Sequence, residues 1–246
     1  MENSEYELVS KVQYQHWWWL GRKKLIESLI ERHIDLSRKL AIADVGCGYG
    51  ANIPMLRQYG DVVGLELNKE AIAEIENTWG DSVQTVIWKS PEAVNQKFDL
   101  ILMADVLEHI PNDQEAVGWI LDHLSANGRI LLTVPAHMFL WSEMDDVVHH
   151  YRRYSETDLL KLFDEKFVVE KISYYNFFLF PIKVAFVLFS TIRQKFLHEK
   201  NKRSYNDVPA ALINSLFKYI MYVETKLIKY ASLPTGAGII LLARKK

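Results

Sequence analysis

The sequence predicts an α/β fold in which a parallel sheet is flanked by helices. Apolar stretches short enough for buried strands alternate along the chain with stretches of helical character, and this alternation is typical of right-handed strand–helix–strand crossovers. The chain has 246 residues, of which 49% are hydrophobic. That size is enough for one domain with a full core and additional segments.

The first half of the chain supplies four of the predicted strands. A helix is expected over residues 5–33, another after the first strand to about residue 59, and a third from its cap at Asn68 to Trp79, since an asparagine side chain can accept hydrogen bonds from the first free amides. The strands are expected at residues 40–45, 61–66, 82–88 and 98–104.

The second half begins with a helix over residues 112–125, after which Asn127-Gly128 is expected to turn the chain into a strand. Ser155 is expected to cap a short helix, because Asp158 places an acid in its first turn. The remaining predicted strands lie at residues 129–135, 166–174 and 238–244.

A glycine-rich loop follows the first strand. Gly46, Gly48 and Ala51 satisfy the dinucleotide spacing G-x-G-x-x-G/A, so the glycines alone do not identify the ligand. Asp44 lies at the strand end, where a carboxylate suits an ammonium group better than a pyrophosphate. Glu66 ends the next strand 20 residues after Gly46 and is placed to accept hydrogen bonds from ribose hydroxyls. Together they predict a cofactor with an amino acid head and an adenosine tail.

Here the chain resembles the class I S-adenosylmethionine-dependent methyltransferases. The D-V-G-C-G-x-G loop at 44–50, Glu66 and the D-V-L-E-H-I block at 105–110 carry the resemblance. It implies a Rossmann-like seven-stranded sheet whose last strand is antiparallel, with S-adenosylmethionine as cofactor and S-adenosylhomocysteine as product. The cofactor-binding residues that it implies are Asp44, Gly46, Cys47, Gly48, Gly50, Asn52, Glu66, Leu67, Ser90, Met103, Ala104 and Asp105.

The segment after the third strand departs from the family pattern. The family usually has an acid there that contacts the adenine amino group, and Ser90 stands in its place. Adenine recognition is left open between Ser90, Glu92 and backbone groups. Trp88 or Leu67 is placed to sandwich the ring.

Two further motifs resemble a subset of small-molecule methyltransferases. One is W-W-x-x-G-R at 18–22, and the other is H-x-R-R-Y at 150–154. We expect His150 to be the general base, with Asp145 and Tyr154 in the catalytic group. The alternative is a structural histidine that orients the arginines or a carboxylate such as Asp145. The residues expected to face the acceptor are Trp18, Trp19, Arg22, His109, Trp141, Arg152 and Arg153.

Several of these acceptor-side residues have a second interpretation. One interpretation of Arg152 and Arg153 is that they bind an acidic group of the substrate. The other is that one of them fixes the loop by an ion pair with a carboxylate. His109 is more typical of a structural or cofactor-adjacent residue than of a base. The tryptophan cluster, Trp17 to Trp19, also has two interpretations. It is expected to form either a lid over the cofactor or a hydrophobic staple that holds the N-terminal helix on the domain.

Two segments go beyond a minimal domain. Tyr174–Phe196 is almost continuously apolar, but Lys183 near its middle disfavours a membrane span. We expect a helix packed over the active-site edge or in a dimer interface, with contact to a membrane surface through 174–196 as the alternative. A second helix to about Tyr230 carries an apolar stripe that we expect to face the core. The predicted division is a lid at 1–35, a core at 36–175 plus 234–246, and a cap at 176–233.

Composition narrows the class of partner. A formal net charge of -2 and the lack of long basic blocks make nucleic acid an unexpected partner. Cys47 is the only cysteine, and the charged N-terminal segment lacks an apolar signal run, so we expect a cytoplasmic protein. We expect it to be a monomer or a homodimer. His149, His150, Asp145 and Asp146 have metal-ligand chemistry, yet such a polar loop is more often catalytic, and no metal is expected.

The sequence therefore predicts an S-adenosylmethionine-dependent methyltransferase with a small-molecule acceptor. Aromatic residues between Phe177 and Phe189 favour a natural-product, quinone or lipid-like acceptor, and the family subset adds glycan-linked ones. O-methylation is favoured over N-methylation. The alternatives are an NAD(P)-dependent oxidoreductase and a non-catalytic, membrane-associated binding protein of the same fold.

Overall fold

The computed structural model describes residues 8, 10–87, 94–163, 166–197 and 207–246. Within these residues, one sheet contains seven strands. They are β1 (Leu40–Val45), β2 (Gly60–Glu66), β3 (Gln84–Ile87), β4 (Phe98–Ala104), β5 (Leu124–Pro135), β6 (Phe167–Tyr175) and β7 (Gly238–Lys245).

The strand order is β3-β2-β1-β4-β5-β7-β6. β1 pairs in parallel with β2 and β4, β2 with β3, and β4 with β5. β7 is antiparallel to both β5 and β6. This arrangement confirms the predicted fold class, including the antiparallel last strand, and it brings the carboxyl ends of β1, β2 and β4 to one edge of the sheet.

Helices lie on both faces of this sheet. In chain order they are α1 (Trp17–His33), α2 (Ile53–Leu56), α3 (Lys69–Trp79), α4 (Asp113–His123), α5 (Glu143–Val147), α6 (Glu156–Leu162), α7 (Phe180–Leu197) and α8 (Ala211–Ile228). In the described part of the chain, no helix combines the length and the apolar content that a bilayer crossing requires.

The hydrophobic core has two halves, one on each face of the sheet. Alternate residues of β1 serve both, since Ile42 belongs to one half, and Ala43 and Val45 belong to the other. Residues from α1, α2, α3 and α8 pack with Ile42, whereas residues from α4 and α6 pack on the opposite face. The sheet is therefore covered on both sides, as a mainly parallel sheet must be.

The predicted N-terminal helix is interrupted. Residue 8 and residues 10–12 are helical, residues 13–15 form a turn, and α1 begins at Trp17, so the helix does not run continuously from residue 5. The break has a local cause, because His16 is the cap residue and its Nδ1 accepts a hydrogen bond from the Trp18 amide. Residues 1–7 and 9 lie outside the described part.

Two other boundaries differ from the sequence expectation. The helix after β1 is a single turn, Ile53–Leu56, because the glycine loop and the turn after it occupy the chain as far as Asn52. β5 begins at Leu124, so Asn127-Gly128 lies inside the strand rather than before it. The register with β4 shifts there between Phe98 and Leu100, which accommodates the extra residues as a bulge.

The apolar stripe of α8 faces solvent, and the expectation that it packs into the core was wrong. Leu212 is 84% exposed and Tyr230 is 74% exposed. The buried face of α8 instead carries Met221, Thr225 and Ile228. Because both faces of this helix are largely apolar, hydrophobic periodicity does not identify the one that packs against α1.

Candidate active site

The loop between β1 and α2 bends sharply around its glycines. Gly46, Gly48 and Gly50 all have positive φ, at 64°, 54° and 79°. A Cβ on Gly46 would lie 2.6 Å from a methyl carbon of Val106, whereas a Cβ on Gly48 would meet nothing within 4 Å. The loop therefore packs closely against the segment after β4 and leaves open space beside Gly48, where a ligand can approach the backbone.

Asp44 lies at the bottom of this loop with 1% of its surface exposed. Asn52 donates a hydrogen bond to the carboxylate, and the Oδ2 atom has no partner. Burial raises the pKa of Asp44 to about 7, although the positive charge of Arg22 acts in the opposite direction. A buried carboxylate oxygen without a partner fits the ammonium group of a cofactor's amino acid end.

Glu66, at the end of β2, is tied to the loop backbone. Its carboxylate accepts hydrogen bonds from the amides of Gly48 at 2.8 Å, Leu67 at 2.7 Å and Asn68 at 3.0 Å. The Asn68 side chain in turn caps α3, as predicted, by accepting from the Glu70 and Ala71 amides. Glu66 therefore fixes the glycine loop beside the start of α3, at the edge where a ribose is expected.

The N-terminal helix reaches the end of β4 through Arg22. Its guanidinium donates to the Ala104 carbonyl at 3.2 Å and forms an ion pair with Asp105, whose φ is 57°. It also lies 4.5 Å from the ring centre of Trp18 and 4.6 Å from that of Trp19. Arg22 is 3% exposed, so the W-W-x-x-G-R motif joins α1 to the sheet edge.

The glycine of that motif lies against α8. A Cβ on Gly21 would come within 2.8 Å of the Met221 Cβ, and the rings of Trp17 and Phe217 meet edge to face at 5.3 Å. The Trp17 amide donates to Asn214 Oδ1 at 2.8 Å. These contacts support the staple interpretation of the tryptophan cluster, because they fix α1 against both the sheet and α8.

His150 is oriented by a carboxylate. Its Nδ1 lies 2.8 Å from Oδ1 of Asp145, and Arg153 binds the same carboxylate through Nε at 2.8 Å and Nη2 at 3.0 Å. Burial acts to raise the pKa of Asp145, but the contacts from His150 and Arg153 outweigh it and hold that pKa at about 2. Asp145 therefore stays ionised and binds Nδ1 of His150. The second ring nitrogen, Nε2, is left to contact another group.

Nε2 of His150 faces Glu108 and lies 3.8 Å from its Oε1. Glu108 is fully buried, and neither carboxylate oxygen has a hydrogen-bond partner. Burial raises the pKa of Glu108 well above its usual value, and the charge of Asp105 raises it further. The His109 ring lies edge to face with the His150 ring at 4.6 Å, and burial lowers the pKa of His109 to about 4.

The rest of the H-x-R-R-Y motif holds the loop to α4. Arg152 pairs with Asp113 at 2.6 Å, and the Tyr154 hydroxyl donates to the same carboxylate at 3.2 Å. Tyr154 is buried, and that burial raises the pKa of its hydroxyl. Both side chains thus meet Asp113 at the start of α4, while Arg153 meets Asp145.

A cluster of rings joins the loop after β5 to β6 and to the first residue of α7. His137 stacks on Tyr174 at 5.0 Å and on Phe139 at 5.1 Å, and Phe180 lies 5.7 Å from His137. The side chain of Lys183 is close enough to Arg153 that their like charges act with burial to lower the pKa of Lys183. The predicted cap segment therefore borders the His150 side of the site.

The other sequence-predicted residues are distributed around this edge. Cys47 and Met103 are buried, whereas Leu67 is 63% exposed. The Trp141 indole donates to Asp146 at 3.0 Å. Ser90, like Trp88 and Glu92, lies outside the described residues, so the adenine expectations stay predictions.

Sequence reasoning missed Glu108 and Lys183 as site residues. Glu108 was visible as the acid of the D-V-L-E-H-I block, and a carboxylate between Leu107 and His109 is the signal that marks it. The sequence around Lys183 is apolar, and only the folded chain brings it to Arg153.

Comparison with known proteins places the chain in a family. A family model described as a methyltransferase domain matches residues 15–167. A histidine protein methyltransferase 1 homolog from Dictyostelium discoideum is 29% identical over 127 residues, which cover 47% of this chain and 41% of that protein. A ubiquinone biosynthesis O-methyltransferase from Rickettsia felis is 28% identical over 114 residues, which cover 44% and 46%. The matched regions thus span less than half of either relative.

Solved structures extend the likeness to nearly the whole chain. The plantazolicin methyltransferase BpumL, in complex with a monoazolic desmethylPZN analog and SAH, superposes with a TM-score of 0.59 at 13% identity, covering 98% of this chain and 89% of that one. At that identity the likeness concerns the fold. The family match covers more than half of the chain and includes the glycine loop, Glu66 and the D-V-L-E-H-I block, so the chain belongs to the class I S-adenosylmethionine-dependent methyltransferases.

Proposed function

We propose that this protein transfers a methyl group from S-adenosylmethionine to a hydroxyl group of a small-molecule acceptor. The observation that carries the proposal is the His150–Asp145–Arg153 chain of contacts, which ends at the β4 edge beside the predicted cofactor loop. An in-line displacement depends mainly on positioning. A hydroxyl acceptor must also lose a proton, which an oriented imidazole is suited to take.

The cofactor half of the proposal rests on the residues after β1 and β2. Asp44 offers an unpartnered carboxylate oxygen to the ammonium group, and the space beside Gly48 admits the backbone-side approach of the ligand. Glu66, Leu67, Met103, Ala104 and Asp105 complete the proposed cofactor set, together with Gly46, Cys47, Gly50, Asn52 and Ser90. S-adenosylmethionine supplies an activated methyl group, and these residues hold and orient it.

The acceptor half rests on a group of rings where the core meets the cap. The ring cluster of His137, Phe139, Tyr174 and Phe180 offers an aromatic surface near the His150 loop, which favours a flat aromatic or quinone-like acceptor over a glycan-linked one. The ubiquinone biosynthesis relative is an O-methyltransferase by name, which agrees with an oxygen acceptor. We propose a core at 36–175 plus 234–246, a cap at 176–233 and an N-terminal lid at 1–35, which the contacts between α1 and α8 hold on the domain.

We also propose that α7 contacts a membrane surface. Its exposed side chains are apolar and aromatic, namely Ile182, Phe186, Leu188, Phe189 and Ile192. A helix with such a face and a few basic residues binds at the lipid–water boundary without crossing it. This surface would bring a membrane-soluble acceptor close to the cap. We further propose a cytoplasmic protein that acts as a monomer or homodimer.

The test of the function uses a panel of small phenols and hydroxylated quinones, with release of S-adenosylhomocysteine as the readout. On the acceptor that reacts fastest, His150→Ala is expected to lower turnover by roughly 10²–10⁴-fold, the usual contribution of a positioned proton acceptor, and to leave cofactor affinity unchanged. His149→Asn, which alters the neighbouring exposed imidazole, is the matched control. Equal turnover in His150→Ala and the control would contradict the role of His150. A panel without any turnover would contradict the acceptor class.

A further inference from the structure

Glu108, His109 and His150 form a compact group of metal-ligand side chains at the end of β4. Each offers one ligand atom, and these atoms all lie within 4.8 Å of one another. Glu108 and His109 come from the turn after β4, and His150 comes from the loop after β5. The Tyr151 amide donates to the Glu108 carbonyl at 2.9 Å, so backbone contacts as well as side chains hold the two segments together.

Among the described residues Glu108 has no cationic partner of its own, and its ionised form would be stabilised by a bound cation. It is fully buried with both carboxylate oxygens unpartnered, and a buried carboxylate is normally paired with a cation or bound to a metal. The two arginines whose charges reach it are committed elsewhere, because Arg22 pairs with Asp105 and Arg153 pairs with Asp145.

His150 is prepared as a ligand by its outer partner. Asp145 binds Nδ1 of His150, which favours the tautomer whose Nε2 lone pair faces Glu108. A carboxylate behind a histidine is the usual support of a metal-bound imidazole, since it fixes the ring and increases its basicity. Arg153 and the Ser142 amide hold Asp145 in turn, so the orientation rests on several contacts.

The donor set indicates the class of ion. Two imidazoles and one carboxylate suit Zn²⁺ and related first-row transition metals, whereas Mg²⁺ and Ca²⁺ prefer oxygen ligands throughout. Ligand atoms around tetrahedral zinc lie about 3.3 Å apart. The 3.8 Å between His150 Nε2 and Glu108 Oε1 is close to that spacing, and the three ligand atoms, which all lie within 4.8 Å of one another, would have to approach by at most about 1.5 Å.

We propose that Glu108, His109 and His150 bind a divalent transition-metal ion, with Zn²⁺ as the preferred ion and at least one coordination position open. This replaces the expectation from the sequence that the site holds no metal. The metal's role rests on the function proposed above. A bound ion would supply Lewis-acid chemistry, since it would lower the pKa of an acceptor hydroxyl at its open position. Nε2 of His150 would then be a ligand, so the acceptor proton would leave to solvent, and the proton-accepting role of His150 proposed above would apply only to the metal-free protein.

The test begins with the full-length protein stripped by chelator and titrated with ZnCl₂ in a calorimeter. We expect one site per chain. Glu108→Gln, His109→Gln and His150→Gln are each expected to weaken Zn²⁺ binding by more than about 100-fold, beyond the usual effect of losing an outer partner, and Asp145→Asn by roughly 10–100-fold. His149→Asn is the matched control, because Asn tolerates the positive φ of 60° at that position, and its affinity is expected to equal that of the wild type.

A second measurement needs no variant. Co²⁺ added to the stripped wild-type protein is expected to give the visible absorption of a low-coordinate site, and Zn²⁺ is expected to remove it. No such band, or equal Zn²⁺ affinity in the wild type and the three ligand variants, would overturn the proposal. S-adenosylhomocysteine is titrated separately into the stripped protein. Its failure to bind would contradict the proposed function without affecting the metal result.

Discussion

The burial of Asp44 affects both the ionisation of its carboxylate and its proposed contact with the cofactor. Its carboxylate is shielded from water and keeps one oxygen without a partner, which destabilises the ionised form in the free protein. A cationic ligand removes that penalty on binding, and part of the affinity for the amino acid end arises in this way.

The raised pKa of Asp44 predicts a pH dependence. Because the folded chain keeps a proton on Asp44 up to about pH 7, while an unfolded chain loses it near pH 4, the contribution of this group to the unfolding free energy falls as pH rises between those values. Binding of the ammonium needs the ionised form, so calorimetric affinity for S-adenosylhomocysteine is expected to rise roughly tenfold between about pH 6 and pH 8.

Asp44→Asn is the matching variant. It is expected to flatten this pH profile and to weaken binding at pH 8 by roughly 10–100-fold, the usual value of a charged hydrogen bond. Asp61→Asn, on an exposed residue at the start of β2, is the control and should keep the wild-type profile. A variant with the same slope as the wild type would assign the titration to another group.

Residue-level prediction succeeded where a short motif carries its own chemistry. The sequence placed Asp44, the glycines and Glu66 on one edge because the ends of neighbouring parallel strands meet there. The contacts of Asp145 with His150 and Arg153 lie within one loop, and they agree with the alternative in which His150 orients a carboxylate. The sequence did not predict that Glu108 lacks a hydrogen-bond partner or that it faces His150, because this approach joins the segments after β4 and β5. Hydrophobic periodicity describes neighbouring residues, so it does not predict contacts between segments that are distant in the sequence.

At the scale of elements, the close contact of α1 with α8 explains the glycine in the W-W-x-x-G-R motif. Gly21→Ala is expected to lower the unfolding free energy by about 1–2 kcal/mol, because the new Cβ would meet the Met221 Cβ at 2.8 Å, and overpacking outweighs the gain in helix propensity. The matched control is Gly118→Ala in α4, where a Cβ meets nothing within 4 Å. There the same change is expected to stabilise by up to about 1 kcal/mol. Urea unfolding measures both, and equal shifts would contradict the contact.

Glu224 forms a second contact between elements, because it joins α8 to the segment between β6 and α7. Its buried carboxylate accepts hydrogen bonds from the Asn176, Phe177 and Phe178 amides, at the point where β6 leads into α7. Glu224→Gln keeps the size but loses the charge and one acceptor oxygen, so the unfolding free energy is expected to fall by about 2–3 kcal/mol. Glu74→Gln, on the exposed face of α3, should change it by less than about 0.5 kcal/mol. Similar effects of the two changes would leave Glu224 without a structural role.

Element boundaries were predicted well where capping is local and poorly where tertiary contacts decide. Asn68 and Ser155 cap their helices as expected. The solvent-facing stripe of α8 was not predicted, because tertiary contacts determine which face is buried. Met221 contacts α1, and Glu224 binds residues 176–178. When both faces of a helix are apolar, its own sequence does not identify the face that packs.

At the scale of the whole molecule, the two cap helices leave apolar residues exposed in different places. Leu188 and Phe189 are 59% and 65% exposed on α7, and Leu212 is 84% exposed on α8. If α7 is the membrane-contacting element, wild-type protein is expected to sediment with anionic vesicles. Phe189→Glu should abolish this, because a charge on the exposed apolar face of α7 would oppose its insertion into the lipid.

Leu212→Glu provides the control, since it introduces the same charge at a more exposed apolar position on the other helix. It should sediment as the wild type does. Absence of the wild-type protein from the pellet would contradict membrane contact. Equal loss in both variants would assign the effect to net charge rather than to α7.

The central claim is that the edge formed by β1, β2 and β4 binds S-adenosylmethionine. Calorimetric titration of the purified protein with S-adenosylmethionine, S-adenosylhomocysteine and NADH tests it most directly. The account predicts micromolar binding of both sulfur compounds, at one site per chain, and no binding of NADH. Binding of NADH, or no binding of either sulfur compound, would contradict it.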